Sequence, residues 1–409
     1  MLVVGGWTEG LAAALGTADA VSFIGSVEAS DSFDTALLSQ CFQVRQSRVD
    51  DATAVVLAAH EIAASLPVTR VVCQTERGLI PAAIAAQSLR IPGPELLPVM
   101  LTMYKPALRK RLTGSAAERY SLPYASIQSP ADLREFAERV GLPLIVKPTD
   151  GAGAVGVRQI RTQAELDEVL SGDFTAEPRL AEELVDGPDI YSVETQSVDG
   201  RHVVVGFSYS RLTRYPYAVF NCTFVPPPAA KLGAEEMKLA ADMAQQVLDA
   251  IGLRNGSAHT EFKLRGDGTP VLIESQLRVG GDRIWRMVDD ALGVRQLAAD
   301  SHGQIPQLPA VPPACQAFYS FVPPSGELAQ VRGLEALASD PAVLSVDVLP
   351  GLLERGVPDI VDNLQRPVQV LVTAGNAEAL AEALSRVTTA IEFCYADGRC
   401  WRAPAPDFA

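Results

Sequence analysis

The chain opens with short apolar runs separated by longer alanine-rich stretches of helical period. Leu2–Val4, residues 21–24 and residues 68–73 read as strands, and residues 52–66 and 79–89 read as helices. Strands alternating with helices imply a mostly parallel sheet, so residues 1–100 form an expected α/β unit. A Pro/Gly stretch at 91–95 closes it. A basic helix is predicted over 100–113, then a strand at Tyr124–Ile127 and a helix over 131–140. Ser129-Pro130 supplies the cap and first turn of that helix. Strand, turn and strand follow over 179–193, with a further strand at 203–209. Residues 211–228 are aromatic, proline-rich and read as irregular, and 234–251 have the period of an amphipathic helix. A second Pro-rich stretch at 305–313 precedes a mixed tail that reads as a small α+β unit. The predicted divisions are 1–100, 101–185, 186–305 and 306–409.

The most informative pattern lies at 258–278. Both flanks of Asp267-Gly268 alternate apolar and polar residues, and that pair is a strong hairpin-turn signal. A hairpin centred there sets Glu261 opposite Glu274, His259 opposite Gln276 and Lys263 opposite Leu272. Opposed residues share a face, with Cβ atoms roughly 4.5–5.5 Å apart. Facing carboxylates repel unless a cation lies between them. Mg²⁺ suits the pair, because it takes oxygen ligands and keeps waters and phosphates as the others. Glu274, Gln276 and Arg278 also share one strand face, which gathers metal ligand, amide and cation. The competing reading is two solvated glutamates on an exposed sheet.

Composition narrows the setting. The 409 residues are 48% hydrophobic and 20% charged, ordinary for a globular protein with a large core. No apolar run approaches a membrane span, and the start Met-Leu-Val-Val-Gly-Gly reads as a first strand, not a signal peptide. The six cysteines show no CxxC or zinc spacing, so they read as small buried hydrophobes of a reduced, cytoplasmic protein. A net charge of −15 argues against a nucleic-acid or anionic-membrane surface. Only six of 34 basic residues are lysines, which gives weight to the position of each.

Two lysines stand at informative places. Lys147 ends a strand and leads into a loop with Gly151, Gly153 and Gly156, where backbone N–H groups can approach an anion. No GK[ST] follows, so this is not a Walker A loop. Lys105 lies on the basic helix, for which a solvated charged face is the simpler account.

Taken in order, these segments resemble the ATP-grasp superfamily of carboxylate–amine ligases, nearest to the dipeptide-forming L-amino-acid ligases. The motifs are the helix lysine, the strand lysine with its Gly-rich loop, the Glu182-Glu183 hinge before a Gly-Pro-acid turn, and the paired-glutamate hairpin ending in Arg278. The resemblance implies an ATP-grasp fold of combined α/β and α+β class, with an N-terminal parallel-sheet domain and a C-terminal α+β domain. It implies ATP and Mg²⁺ as cofactors, and small-molecule carboxylate and amine substrates. A homodimer is compatible with it. Lys105 and Lys147 match lysines that hold ATP phosphates, and Gly151, Gly153 and Gly156 match the lid. Glu182, Glu183, Leu184 and Val185 match the adenine hinge, and Asp189 matches a ribose-binding acid one methylene longer in most relatives. Glu261, Glu274 and Gln276 match the metal ligands. Arg278 matches an arginine that stabilises charge on the transferred phosphoryl or acyl group; with Lys147 and Glu274 it forms the expected catalytic set.

Three positions depart from the family pattern. Gln276 replaces the usual asparagine, Ala154 replaces a common lid serine, and Phe220 and Thr223 stand where dipeptide ligases often carry Glu and His. The missing acid implies a carboxylate substrate without a free α-ammonium group, or one held elsewhere. Arg211, Arg214 and the Gly280-Gly281 turn are further substrate-contact candidates, while Asp282 reads as a helix N-cap. His259 reads as a neighbour of the metal ligands or as a structural histidine. The expected activity is ATP-dependent amide formation. The alternatives are a bicarbonate-dependent carboxylase and a non-catalytic ATP-binding regulator.

Overall fold

The computed structural model describes residues 1–26, 35–150, 153, 155–171, 178–213, 219–306 and 314–404. The apolar runs at the start form β1 (Leu2–Val4), β2 (Ser22–Gly25), β3 (Gln43–Gln46) and β4 (Val71–Val72). They make a parallel sheet in the order β3-β2-β1-β4. The strand expected over 68–73 shrinks to two residues, since β4 is an edge strand that pairs only with Leu2 and Val3. Helices at Ala52–Ser65 and Leu79–Leu89 match their apolar period, the first capped by Asp51.

The basic helix predicted over 100–113 is broken. Tyr104 is extended (φ −107°, ψ 95°) between helices Leu96–Met103 and Lys105–Leu112. Pro106 explains the break, because it has no N–H to offer the Thr102 carbonyl of a continuous helix. Lys105 N–H donates instead to Thr149 O at 2.9 Å, which pins the helix start beside the loop after Lys147.

The next sheet contains β5 (Tyr124–Ile127), β6 (Leu144–Pro148), β7 (Arg158–Ile160) and β8 (Arg179–Glu183), in the antiparallel order β5-β8-β6-β7. The helix Pro130–Val140 covers it, opened by a reciprocal Ser129–Asp132 capping box. Leu133 and Phe136 pack there on Leu144, Val146 and Ile160.

The large antiparallel sheet begins with β9 (Asp189–Val198), β10 (Arg201–Leu212), β11 (Phe220–Val225), β12 (Gly256–Leu264) and β13 (Pro270–Gln276). The tail adds β14 (Cys315–Phe321), β15 (Leu328–Arg332), β16 (Val343–Val348), β17 (Val368–Ala374), β18 (Glu392–Tyr395) and β19 (Cys400–Trp401). Of these, β14, β17 and β16 continue the sheet, in the order β13-β12-β9-β10-β11-β14-β17-β16. The other three pair as β15-β18-β19. The stretch predicted as irregular over 211–228 therefore holds a strand. Buried Cys222 and Phe224 alternate along β11, and it pairs with β10 and β14 on its two sides. Pro226, Pro227 and Pro228 fall after the strand, where no ladder hydrogen bond is lost, and Pro216 lies outside the described residues.

The decisive hairpin is β12–β13. Glu261 faces Glu274 and His259 faces Gln276, as the alternation predicts. Lys263, however, faces Val271 and not Leu272. The turn is three residues long, Gly266–Gly268, closed by Gly268 N–H to Arg265 O and Arg265 N–H to Thr269 O, both 2.9 Å. Gly268 takes φ +80°, as the last residue of such a loop requires. The resulting one-residue slip is cancelled by a bulge at Ile273, so the glutamates still meet.

Candidate active site

One cavity of about 580 Å³ collects most of the residues singled out from the sequence. Lys105, Lys147, Gly153, Glu182, Glu183, Leu184, Val185, Arg211, Phe220, Thr223, Glu261, Glu274, Gln276, Arg278 and Gly281 all line it. Asp189, Gly156 and Gly280 are not among its lining residues. Asp189 begins β9 and accepts a hydrogen bond from the Tyr209 hydroxyl at 2.9 Å. Gly151, Ala154 and Arg214 lie outside the described residues.

At the centre of one wall, Glu182 is 1% exposed. Its carboxylate meets Arg109 Nε at 2.5 Å and Lys147 Nζ at 2.6 Å. Burial alone would raise its pKa, but the charges of Arg109 and then Lys147 outweigh that and bring it down to about 2. Arg109 also donates to Leu272 O and Ile273 O, at 2.9 and 2.8 Å. It thus satisfies carbonyls at the bulge and ties the lysine-bearing sheet to the hairpin with the glutamates. The solvated-face reading of the basic helix fails here, since Arg109 is 2% exposed. Its spacing of four from Lys105 puts both on one helix face, a signal present in the sequence.

Glu261 and Glu274 project into the cavity with Lys105 Nζ 3.7 Å from Glu274 Oε2. Gln276 Nε2 donates to Glu274 Oε1 at 2.8 Å. His259 bridges the buried Glu194 (Nδ1, 2.6 Å) and Glu261 (Nε2, 3.2 Å). Ser192 Oγ also donates to Glu194 at 2.6 Å. Burial works against the charged imidazolium, but Glu194 and Glu261 hold the His259 pKa up at about 10. Burial pushes Glu261 up, and Glu274 adds to it against the opposing His259 bond. At Glu274 burial is overcome by Lys105, Lys147 and Arg278, which hold it low. The donor set is all oxygen, and Gln276 Oε1 is buried without a hydrogen-bond partner. These residues fit a hard divalent cation.

Arg278 Nη2 pairs with Glu76 at 2.9 Å, a residue contributed by the turn after β4. Its Nη1 donates to Val279 O at 2.9 Å. Asp282 does not cap the following helix. The helix Ile284–Leu292 has Arg283 at its cap position with no side-chain cap bond. Asp282 instead takes a two-point pair from the buried Arg366 guanidinium, at 2.7 and 2.9 Å. Arg366 further donates to Asn363 O and Phe220 O, and Asn363 Oδ1 accepts from Phe220 N–H at 2.8 Å. These contacts draw the C-terminal segment onto the cavity wall.

Lys147, Glu182, Glu261, Glu274 and Arg278 share one stretch of chain. Residues 140–285 match the family described as ATP-grasp domain. The chain carries the ATP-grasp fold. Its N-terminal parallel sheet and its antiparallel sheets agree with the combined α/β and α+β class. An L-amino acid ligase from Bacillus licheniformis superposes with a TM-score of 0.80 at 20% identity, over 96% of this chain and 98% of that one. An uncharacterized protein, y4rH, of Sinorhizobium fredii is 32% identical over 51% of this chain and 43% of its own length. Alanine–anticapsin ligase of Bacillus subtilis is 26% identical over 56% of this chain and 54% of its own. The chain thus spans about half the length of these two curated relatives.

Several cavity residues were not singled out from the sequence as site residues. Lys263 lines the cavity and donates to Gly187 O at 2.5 Å. Asp186 lines it in an ion pair with Arg161 at 2.7 Å. Asn363 and Arg366 line it from a distant segment, and Glu76 bears on it through Arg278; no motif marks any of the three. No helix among the described residues is long and apolar enough to cross a membrane.

Proposed function

We propose that the chain is an ATP-dependent ligase that activates a carboxylate as an acyl phosphate and joins it to an amine. The observation that carries this reading is the facing Glu261–Glu274 pair, set in one cavity with Lys105, Lys147 and Arg278. Nucleotide chemistry suits the opposite wall, where residues 183–188 offer a backbone edge for an adenine. Glu261, Glu274 and the Gln276 carbonyl oxygen would hold Mg²⁺, which supplies charge neutralisation at the phosphates when bound.

The protein's own part is positioning and charge. Lys105 and Lys147 hold phosphate oxygens, and Glu182 keeps Lys147 extended into the cavity. The substrate carboxylate oxygen attacks the γ-phosphorus, the bond to the bridging oxygen breaks, and ADP leaves. The amine nitrogen then attacks the acyl carbon. Arg278 stabilises the oxyanion of the tetrahedral intermediate, which collapses to the amide as phosphate leaves and nitrogen loses a proton. Names of similar ligases support amino-acid-like substrates: alanine–anticapsin ligase and an L-arginine-specific L-amino acid ligase both match part of the chain.

The test is ADP and phosphate formation over a panel of carboxylic acids crossed with amines, with products read by mass. Release that requires both partners is expected, reduced at least about a hundredfold in Glu274→Ala. Release driven by bicarbonate without an amine, or ATP binding without turnover, would overturn the proposal.

A further inference from the structure

The sequence reading treats all six cysteines as small buried hydrophobes. That holds for Cys73, Cys222 and Cys394, but Cys400 is exposed. In the hairpin of β18 and β19, Cys394 stands directly opposite Cys400. The adjacent pair carries the ladder bond, Tyr395 N–H to Arg399 O at 2.8 Å. The cysteines therefore occupy the alternate, non-hydrogen-bonded kind of pair, with Cα atoms about 4.5 Å apart. Disulfides span Cα separations of about 4.4–6.8 Å. The two Sγ atoms already lie 3.3 Å from each other.

We propose that Cys394 and Cys400 are a site of intramolecular disulfide formation, driven by a small-molecule disulfide oxidant. Cys400 lies on β19, the edge strand of its sheet, so it is the thiol an oxidant reaches first. Its thiolate attacks one sulfur of the oxidant, forming a mixed disulfide and releasing one thiol. The Cys394 thiolate then attacks Cys400 Sγ and expels the second oxidant thiol. Two protein thiols are oxidised by two electrons, one oxidant disulfide is reduced, and two protons pass to the released thiols.

A metal is the rival occupant, since Glu392, Cys394 and Cys400 present three ligand atoms within 4.8 Å of one another. The charges disfavour the metal. Glu392 is already bonded by Arg332 Nη1 at 3.0 Å and Arg402 Nε at 3.1 Å. A cation would have to displace or sit against two guanidiniums.

The full chain is incubated with oxidised glutathione, and intact mass and free thiols are measured. A mass lower by two hydrogens and the loss of two of six titratable thiols are expected. Trypsin cuts after Arg399, so a linked pair of peptides without reductant identifies the bond. Cys394→Ser is expected to stop at a glutathione adduct on Cys400, and Cys400→Ser to remain fully reduced at Cys394. Three results would overturn the proposal. One is no reaction in the wild type; another is a stable glutathione adduct on wild-type Cys400. The third is stoichiometric zinc binding that is lost in Cys400→Ser and blocks oxidation.

Discussion

Replacing Glu182 by glutamine tests the charge cluster that joins the two main sheets of the site. The change keeps the side-chain shape and removes the anion between Arg109 and Lys147. In the folded chain the Glu182 pKa lies at about 2, below the usual 4.5. A depressed pKa stabilises the fold above the unfolded value and loses that contribution as pH falls through the folded value. The difference corresponds to about 3 kcal/mol at neutral pH. Removing one partner of a buried pair costs about 3–5 kcal/mol, a similar magnitude. Urea unfolding of wild type and Glu182→Gln is therefore expected to differ by about 3 kcal/mol near pH 7, and by roughly half that near pH 3, where the unfolded chain's carboxyl is already protonated while the folded one is still ionised. Equal stabilities near pH 7, or a gap that does not shrink with acid, would refute the argument that this carboxylate is held ionised by its two cations.

Other perturbations address the cavity and its surroundings. In Gly280→Ala the new Cβ would lie 2.7 Å from Ile284 Cγ2 and 3.1 Å from Glu194 Oε2, so a loss of about 1–3 kcal/mol in urea unfolding is expected. Gly266→Ala, which meets nothing within 4 Å, serves as the near-neutral control. Glu76→Gln frees one end of Arg278, and should lower kcat by about tenfold or more with the KM for ATP unchanged; equal changes in both would contradict a role confined to Arg278. Phe220→Glu places an acid on the cavity wall and is expected to move carboxylate-substrate preference toward plain α-amino acids, read as relative kcat/KM; an unchanged preference would count against this wall as the ammonium-selecting surface.

The order of elements was legible in the sequence because local pattern carries it. The helices Leu79–Leu89 and Ala234–Ile251 follow their apolar period, and the glutamate pairing follows the period of two along β12 and β13. Resemblance to ATP-grasp motifs added Lys105, Lys147, Glu182, Glu183 and Arg278 as candidates, all within or near one continuous stretch. Local pattern also misled where tertiary pairing decides. The strand β11 lay inside a stretch rich in aromatics and proline, and it exists because β10 and β14 supply partners on both sides. The three-residue turn and its compensating bulge are invisible to alternation, since each alone would separate Glu261 from Glu274 and only their combination restores the pair. Arg109 was legible as a charge on a helix but not as a buried clamp, because its value depends on carbonyls and a carboxylate 73 to 164 positions away. The same holds for Arg366 with Asp282 and for Glu76 with Arg278. Hydrophobic period acts between near neighbours and was readable from order alone. Burial of a charge is favourable only against a specific opposite charge, and only the folded chain brings those partners together.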